Sequence, residues 1–199
     1  MPEIRSALSA HFHPGRFGFE GGELPLVLSE QPLGTLIQLS GWPDNFEQAA
    51  TPVLQRLGFA GLGDFNHAQA AGGLLAFRIA PERVLLRLAS SVGLESLGEA
   101  AQTPALDLSH SRTVLRVAGA AAADLLARGL PIDLGAAVFP AGRFVQSGIH
   151  SIGVMVHRLA DDNGAPVFEI YVPRSYAVTI WEFLTESAVP FGYRISKAT

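Results

Sequence analysis

Along most of the chain, short apolar runs with the spacing of strands alternate with longer stretches that have the spacing of helices. Residues 33–40 are apolar with β-branched members, which predicts a strand. Asp44, followed three residues later by Glu47, predicts a capping box for a helix that runs to Leu57. Pro52 falls inside that helix and predicts a kink or a split into two turns.

The same criteria predict the remaining elements. In the first half we expect strands over 74–79, 84–88 and 105–108 and a helix from Ser90 or Ser91 to Ala101. In the second half we expect strands over 113–119, 144–149, 153–159, 167–172 and 193–195, with helices over 120–128 and 174–187.

The first 22 residues follow neither period and predict an irregular arm. Phe12, Phe17 and Phe19 lie in this arm among Gly and Pro residues. An arm without a core of its own must bury such side chains elsewhere. We expect them either to pack back onto this chain or to anchor on a partner, since aromatic side chains are common anchors at interfaces.

The two halves match in sequence. Residues 35–41 align with 113–119 at a separation of 78 positions, and residues 77–80 align with 157–160 at a separation of 80. Each half has the order β-α-β-β-α-β, which predicts an α+β fold of two tandem ferredoxin-like halves, over 23–109 and 110–199. Chance recurrence of strand, glycine and helix is the alternative.

Composition narrows the function. Only 16% of the residues are charged and 48% are hydrophobic. A thin charge coat indicates either a compositional bias or a surface covered by other chains. The net charge of −4 argues against nucleic acid as a partner, since such proteins usually carry a basic patch. The absence of Cys excludes thiolate chemistry, and a single lysine, Lys197, leaves no lysine for a Schiff base inside the domain.

Candidate catalytic motifs are weak throughout. We interpret His11 and His13 as incidental, because no third ligand lies near them in sequence. The polar run 107–112 contains Ser, His and Asp, but neighbours in an extended strand point to opposite faces, so we interpret it as a junction whose Ser and Asp satisfy backbone groups. Nucleophile elbows and dinucleotide loops are missing from the sequence. No catalytic, cofactor-binding or metal-binding residue is predicted.

The N-terminus lacks an apolar signal region, and no stretch approaches the roughly 18 apolar residues of a membrane span. We therefore expect a cytoplasmic protein that does not associate with membranes.

Four segments resemble the gamma subunit of heterotetrameric sarcosine oxidase. They are LDLSHSRTVLRVAG (106–119), DLLARGLPIDL (124–134), FPAG (139–142) and YVPRSYA (171–177). The resemblance implies a fold similar to the folate-binding domain of the glycine-cleavage aminomethyltransferase. It implies alpha, beta and delta partner subunits, and a complex that oxidises sarcosine to glycine, passes the one-carbon unit to tetrahydrofolate and forms hydrogen peroxide. It also assigns FAD, FMN, NAD and tetrahydrofolate to the partner subunits and no cofactor to the gamma chain.

One departure concerns catalysis. The related folate enzymes have an acidic residue directly before the strand that matches residues 154–159, where this chain has Ser151, Ile152 and Gly153. We therefore expect an accessory subunit of an oxidoreductase complex without catalytic residues of its own, although its standing as an enzyme stays uncertain. The alternatives are a folate-binding, aminomethyltransferase-like protein, or the same subunit in a complex for another N-methylated amino acid.

If partner contact is its role, the arm phenylalanines Phe12, Phe17 and Phe19 are the first candidates. Arg112 and Arg174 are further candidates, because arginine suits bidentate pairing across interfaces. An intramolecular salt bridge is the alternative for each arginine. The resemblance favours a covered surface over a compositional bias.

Overall fold

Apolar runs rich in β-branched residues and leucine become strands, and the stretches with 3–4 spacing become helices, in a computed structural model that describes residues 5–19, 25–89, 91, 97 and 103–197. The described chain forms two compact units. The terminal unit contains Met1–Pro32 and Ser111–Thr199, and the internal unit contains Leu33–His110. The sequence predicted boundaries after residues 22 and 109. Residues 23–32, which were predicted to belong to the first half, lie in the terminal unit instead.

The strands are β1 (Gly15–Phe17), β2 (Val27–Gln31), β3 (Thr35–Ser40), β4 (Ala68–Ala71), β5 (Leu74–Ala80), β6 (Arg83–Leu88), β7 (Ala105–Asp107), β8 (Arg112–Ala118), β9 (Phe144–Ile149), β10 (Ile152–Arg158), β11 (Val167–Pro173) and β12 (Tyr193–Ile195). The helices are α1 (Phe46–Arg56), α2 (Ala122–Leu126) and α3 (Ala177–Ala188). Strands β1, β2 and β4 are additional to those predicted. The predicted helix from Ser90 or Ser91 to Ala101 lies largely outside the described residues.

The internal unit holds a sheet of order β4-β5-β6-β3-β7 among its described residues. All of its pairings are antiparallel. Helix α1 follows β3, and its buried Phe46, Val53 and Leu54 pack with Ile37 and Leu86 of the sheet in one apolar core. The sheet contains the four strands predicted for the first β-α-β-β-α-β half, which are β3, β5, β6 and β7. Strand β4 is added at one edge.

The terminal unit holds the larger sheet, of order β1-β12-β2-β8-β11-β10-β9. Helix α3 covers one face, where Ile180 and Leu184 join Leu115, Phe168 and Ile170 in the main core. Strand β12 pairs in parallel with β2, and the other pairings in this sheet are antiparallel. The predicted last strand therefore lies beyond β2, separated from β8.

In each sheet, the central strand pairs with a strand that directly precedes the central strand of the other sheet in sequence. The two central strands are β3 and β8. Strand β2 comes just before β3 in the chain but pairs with β8, and β7 comes just before β8 but pairs with β3. The registers correspond, because Glu30 lies opposite Leu115 and Asp107 lies opposite Ile37. The central strands also share one burial pattern over 35–40 and 113–118, at the predicted separation of 78 positions. The tandem duplication itself stays a prediction.

The beginning of α1 corrects the predicted capping box. The residue at the N-cap is Asn45, and it makes no side-chain capping hydrogen bond. The first turn is held by the main chain instead, because the amides of Asn45 and Phe46 both donate to the carbonyl of Trp42. Pro52 lies inside one continuous helix, on its exposed side, where water can bond the carbonyl that proline leaves without a donor.

The two helices of the second half also differ from the prediction. The first is shorter, and the second is divided into two parts. Helix α2 covers only Ala122–Leu126, and the last predicted helix begins as a 3-10 turn over Arg174–Tyr176 before α3. Within the described ranges, no helix is both long and apolar enough to span a membrane.

The polar run at the junction serves the backbone, as predicted. The Asp107 carboxylate accepts hydrogen bonds from the amide of Ser109 (2.8 Å) and from its hydroxyl (2.5 Å). The Ser109 hydroxyl oxygen in turn accepts from the amide of Leu36 (3.0 Å), and the amide of Leu108 donates to the Leu36 carbonyl. This chain of bonds fastens β7 to the start of β3.

We predict that Asp107→Asn lowers the stability of the internal unit at neutral pH but not at acidic pH. The two hydrogen bonds from Ser109 hold the pKa of Asp107 below its ordinary value, so the stabilisation is present above pH ~4 and is lost as the pH falls through the folded-state pKa. At this exposed site we expect about 0.5 kcal/mol at pH 7. Urea unfolding from pH 3 to 7 measures it; a deficit that persists at pH 3 contradicts the mechanism.

Candidate functional site

The first part of the N-terminal arm is built into the terminal unit. Leu8 is fully buried in the main core, and its carbonyl accepts hydrogen bonds from the amides of His11 and Phe12. The Phe12 ring packs on Trp181 of α3 with ring centroids 5.4 Å apart. The Trp181 indole donates to the carbonyl of His11 (3.3 Å). Phe12 therefore folds back on its own chain, which is one of the two positions predicted for it.

The second part of the arm is a strand rather than an irregular segment. Strand β1 pairs antiparallel with β12, with Gly15 opposite Ile195 and Phe17 opposite Tyr193. The prediction was wrong here because three residues are too few to show a period of two. Strand β1 is the last strand of its sheet, so its outer side is an edge where further backbone can pair.

Exposed apolar side chains lie along this edge. Phe17 stacks on Tyr193 with centroids 5.4 Å apart and is 38% exposed, whereas Phe19 is 65% exposed. The amide of Phe19 donates to the carbonyl of Val189 (N···O 3.1 Å). The residue Val189 is 48% exposed. We name Phe17, Phe19 and Val189 the aromatic edge. It is an uncovered apolar patch on a chain of low charge.

A glycine permits the aromatic edge to form. Gly18 adopts a φ of +79°, and a Cβ added there would lie 2.4 Å from the carbonyl oxygen of Val189. The two backbones therefore approach to a distance that only glycine allows, and this approach places Phe19 beside Val189.

Arg112 and Arg174 lie together in the terminal unit. The Ser111 carbonyl accepts hydrogen bonds from the Arg112 guanidinium (3.2 Å) and from the Arg174 amide (3.0 Å). The Arg174 guanidinium donates to the carbonyl of Arg5. Within the described part of the chain, neither guanidinium forms a salt bridge.

Burial lowers the pKa of Arg112, because part of its water shell is removed.

Tyr176, two residues after Arg174, is 49% exposed. The sequence contains no signal for that exposure, since an aromatic side chain at the start of a helix is equally compatible with burial.

A buried ion pair crosses the large sheet on the face opposite α3. The Arg116 guanidinium donates to the Glu169 carboxylate (2.8 Å) across the β8–β11 pair, and Glu169 is only 1% exposed. The Tyr171 hydroxyl lies 3.4 Å from the same carboxylate. Sequence analysis did not find this pair, because its partners are 53 positions apart. The pairing gives the buried Glu169 carboxylate a counter-charge, and a buried charge without one would cost free energy.

Other chemistry is sparse. The described residues contain no group of three His, Asp or Glu side chains arranged to hold a metal ion. The His11 imidazole faces Glu182 of α3 at 4.0 Å. Residues 150–151 form the turn before β10, and neither is acidic.

The family comparison decides the identity of the chain. The model of the family described as "Sarcosine oxidase, gamma subunit family" matches residues 84–189. The chain belongs to the sarcosine oxidase gamma subunit family. This confirms the resemblance inferred from the four sequence segments, all of which lie inside the matched range. No protein with a curated description matches the sequence.

Two solved structures confirm the fold class. A chain of the heterotetrameric sarcosine oxidase from Corynebacterium sp. U-96, in complex with pyrrole 2-carboxylate, is 23% identical, with a TM-score of 0.78; the match covers 94% of this chain and 95% of that one. The glycine cleavage system aminomethyltransferase T from Bartonella henselae is 18% identical, with a TM-score of 0.61, and the match covers 98% of this chain but 60% of that one. The gamma-family chain thus has the folate-binding, aminomethyltransferase-like α+β fold.

We predict that Gly18→Ala destabilises the terminal unit by about 2 kcal/mol or more, because it combines a left-handed backbone with a clash against Val189. Gly142→Ala is the matched control, since Gly142 has a φ of +85° and open space around its Cβ position. We expect the control to cost about 1 kcal/mol. Equilibrium unfolding of both variants measures the difference; equal losses would show that the close approach does not matter.

Proposed function

We propose that this chain is a non-catalytic accessory subunit of a sarcosine oxidase-like flavoenzyme complex with alpha, beta and delta-type partners. Membership of the gamma subunit family carries the proposal. The complex would oxidise sarcosine to glycine, transfer the one-carbon unit to tetrahydrofolate and form hydrogen peroxide. FAD, FMN, NAD and tetrahydrofolate would be bound by the partner subunits in the cytoplasm, and this chain would contribute none of the reacting groups.

The distribution of polar groups supports an accessory role. The described part of the chain carries no metal-ligating cluster, and its most buried carboxylate, Glu169, is engaged by Arg116. The turn before β10 has Ser151 instead of an acidic residue.

Exposed apolar groups support partner contact at the aromatic edge. Phe17 and Phe19 are the two arm phenylalanines with exposed rings, and β1 adds an open backbone edge to them. An extended segment of a partner could pair with that edge while its side chains cover the rings. Phe12 contributes indirectly, by holding the arm on Trp181.

We predict that Phe17→Ser with Phe19→Ser weakens assembly at least tenfold while leaving the fold intact. Truncation of the arm would be a poorer test, because it also removes the fully buried Leu8. Val138→Ser is the matched control, since Val138 is 57% exposed in the same unit. Co-expression with alpha, beta and delta-type chains, followed by measurement of the co-purified fraction, tests it. Equal recovery of the double variant and the control contradicts a role for the aromatic edge.

Folate binding is the second candidate, and the structural likeness to an aminomethyltransferase favours it. We expect titration calorimetry of the isolated chain with tetrahydrofolate to show no saturable heat, because the acidic residue of the folate enzymes is replaced here. Saturable binding in the micromolar range would instead support the folate-binding alternative. The N-methylated amino acid that the assembled complex oxidises is read from its activity on sarcosine, dimethylglycine and N-methylated proline.

A further inference from the structure

We propose that Arg5, Arg112, Arg174 and Tyr176, here named the arginine surface, bind an acidic segment of a partner subunit through its carboxylates. The inference rests on the proposed function and goes beyond it by naming the chemistry of the partner. The Arg112 guanidinium donates to the carbonyl of Ser111, which also accepts from the Arg174 amide, and the Arg174 guanidinium donates to the carbonyl of Arg5. The protein as a whole carries a net charge of −4, so this local excess of positive charge runs against the average.

Arg112 contributes the first argument. Its guanidinium has lost water to burial, and within the described residues its hydrogen bond goes to a neutral carbonyl rather than to a carboxylate. A desolvated cation without a counter-charge raises the free energy of the isolated chain. A carboxylate from outside the chain would remove that penalty and gain a charge-assisted hydrogen bond.

Arg174 contributes a second, independent argument. It opens the 3-10 turn that leads directly into the 12-residue helix α3. The N-terminus of a helix carries a partial positive charge, so a cation is unfavourable there and an anion is favourable. The Arg174 guanidinium is held in place by the carbonyl of Arg5, which leaves its other donors for a partner.

The neighbouring aromatic side chain indicates a polypeptide rather than a free anion. Tyr176 exposes about half of its surface (49%) two residues from Arg174. A small inorganic anion would leave that ring in water, whereas an acidic segment would cover it while its carboxylates reach the guanidinium groups. Aromatic and arginine side chains together are the usual composition of strong contact sites.

The test uses neutral and charge-conserving variants of the intact chain. Arg112→Gln with Arg174→Gln removes both charges, Arg112→Lys with Arg174→Lys keeps the charges but loses the planar fork, and Arg56→Gln is the control at an exposed arginine of the internal unit. The first measurement is binding of a hexaglutamate peptide to the isolated chain at low salt, about 20 mM. We expect the Gln pair to weaken binding at least tenfold, the Lys pair to weaken it less, and the control to leave it unchanged.

Two outcomes of the peptide measurement would overturn the proposal. One is equal binding by the wild-type chain and the Gln pair. The other is displacement of the peptide by an equimolar concentration of inorganic phosphate, which would show a site for free anions. Circular dichroism and thermal unfolding establish that the Gln pair is folded, and the Lys pair keeps the test valid if it is not.

The second measurement is co-purification of the same variants with the partner subunits. We expect the Gln pair to lose assembly and to lose the salt dependence that the wild-type chain shows between about 20 and 500 mM. If the wild-type chain assembles and the Gln pair assembles equally well, the arginine surface is overturned and the proposed function stands. If the wild-type chain does not assemble at all, the proposed function fails, and the peptide measurement decides the arginine surface alone.

Discussion

Strand β2 occupies the position between β8 and β12, and the terminal sheet depends on that antiparallel pairing. Without β2, the parallel partner of β12 would be absent, and β1 would lose its place because it pairs only with β12 in this sheet. The aromatic edge follows from the same pairing, since Phe17 lies on β1, Phe19 directly beyond it and Val189 on the turn before β12. A chain segment that sequence order assigns to the first half thus positions a surface of the second.

Strand β7 has the corresponding position in the other sheet, and its weak attachment there accounts for the polar side chains of residues 107–112. Strand β7 is only three residues long and lies at the edge of its sheet, so few ladder bonds hold it. Asp107 and Ser109 add side-chain bonds that fasten it to β3. On the other side, Ser6 donates to Glu30, the residue whose register in β2 corresponds to Asp107. Strands β2 and β7 therefore each carry an acidic residue that accepts a hydrogen bond from a serine.

The proposed function assigns the work of this chain to contact surfaces of the terminal unit. The buried Glu169 is paired with Arg116 inside the sheet, whereas Phe19 is exposed in the same unit and the Arg174 guanidinium bonds a backbone carbonyl. This separation accords with a gamma family member that serves an assembly. The two proposed contacts, apolar at the aromatic edge and charged at the arginine surface, differ in salt dependence, so each can be measured independently of the other.

The sequence alone determined the α+β class, most of the strands, the junction bonds of Asp107 and the family, because periodicity and short motifs are local properties of the chain. It missed β1, β2 and β4; β1 (GRF) and β4 (AQAA) contain none of the β-branched residues that mark a strand. Only the tertiary structure decided which strands are neighbours, that Phe12 packs inward while Phe19 faces outward, and that Arg112 and Arg174 bond carbonyls instead of carboxylates. Those outcomes depend on contacts between residues far apart in the chain, and such contacts leave no mark in the local spacing of apolar and polar residues.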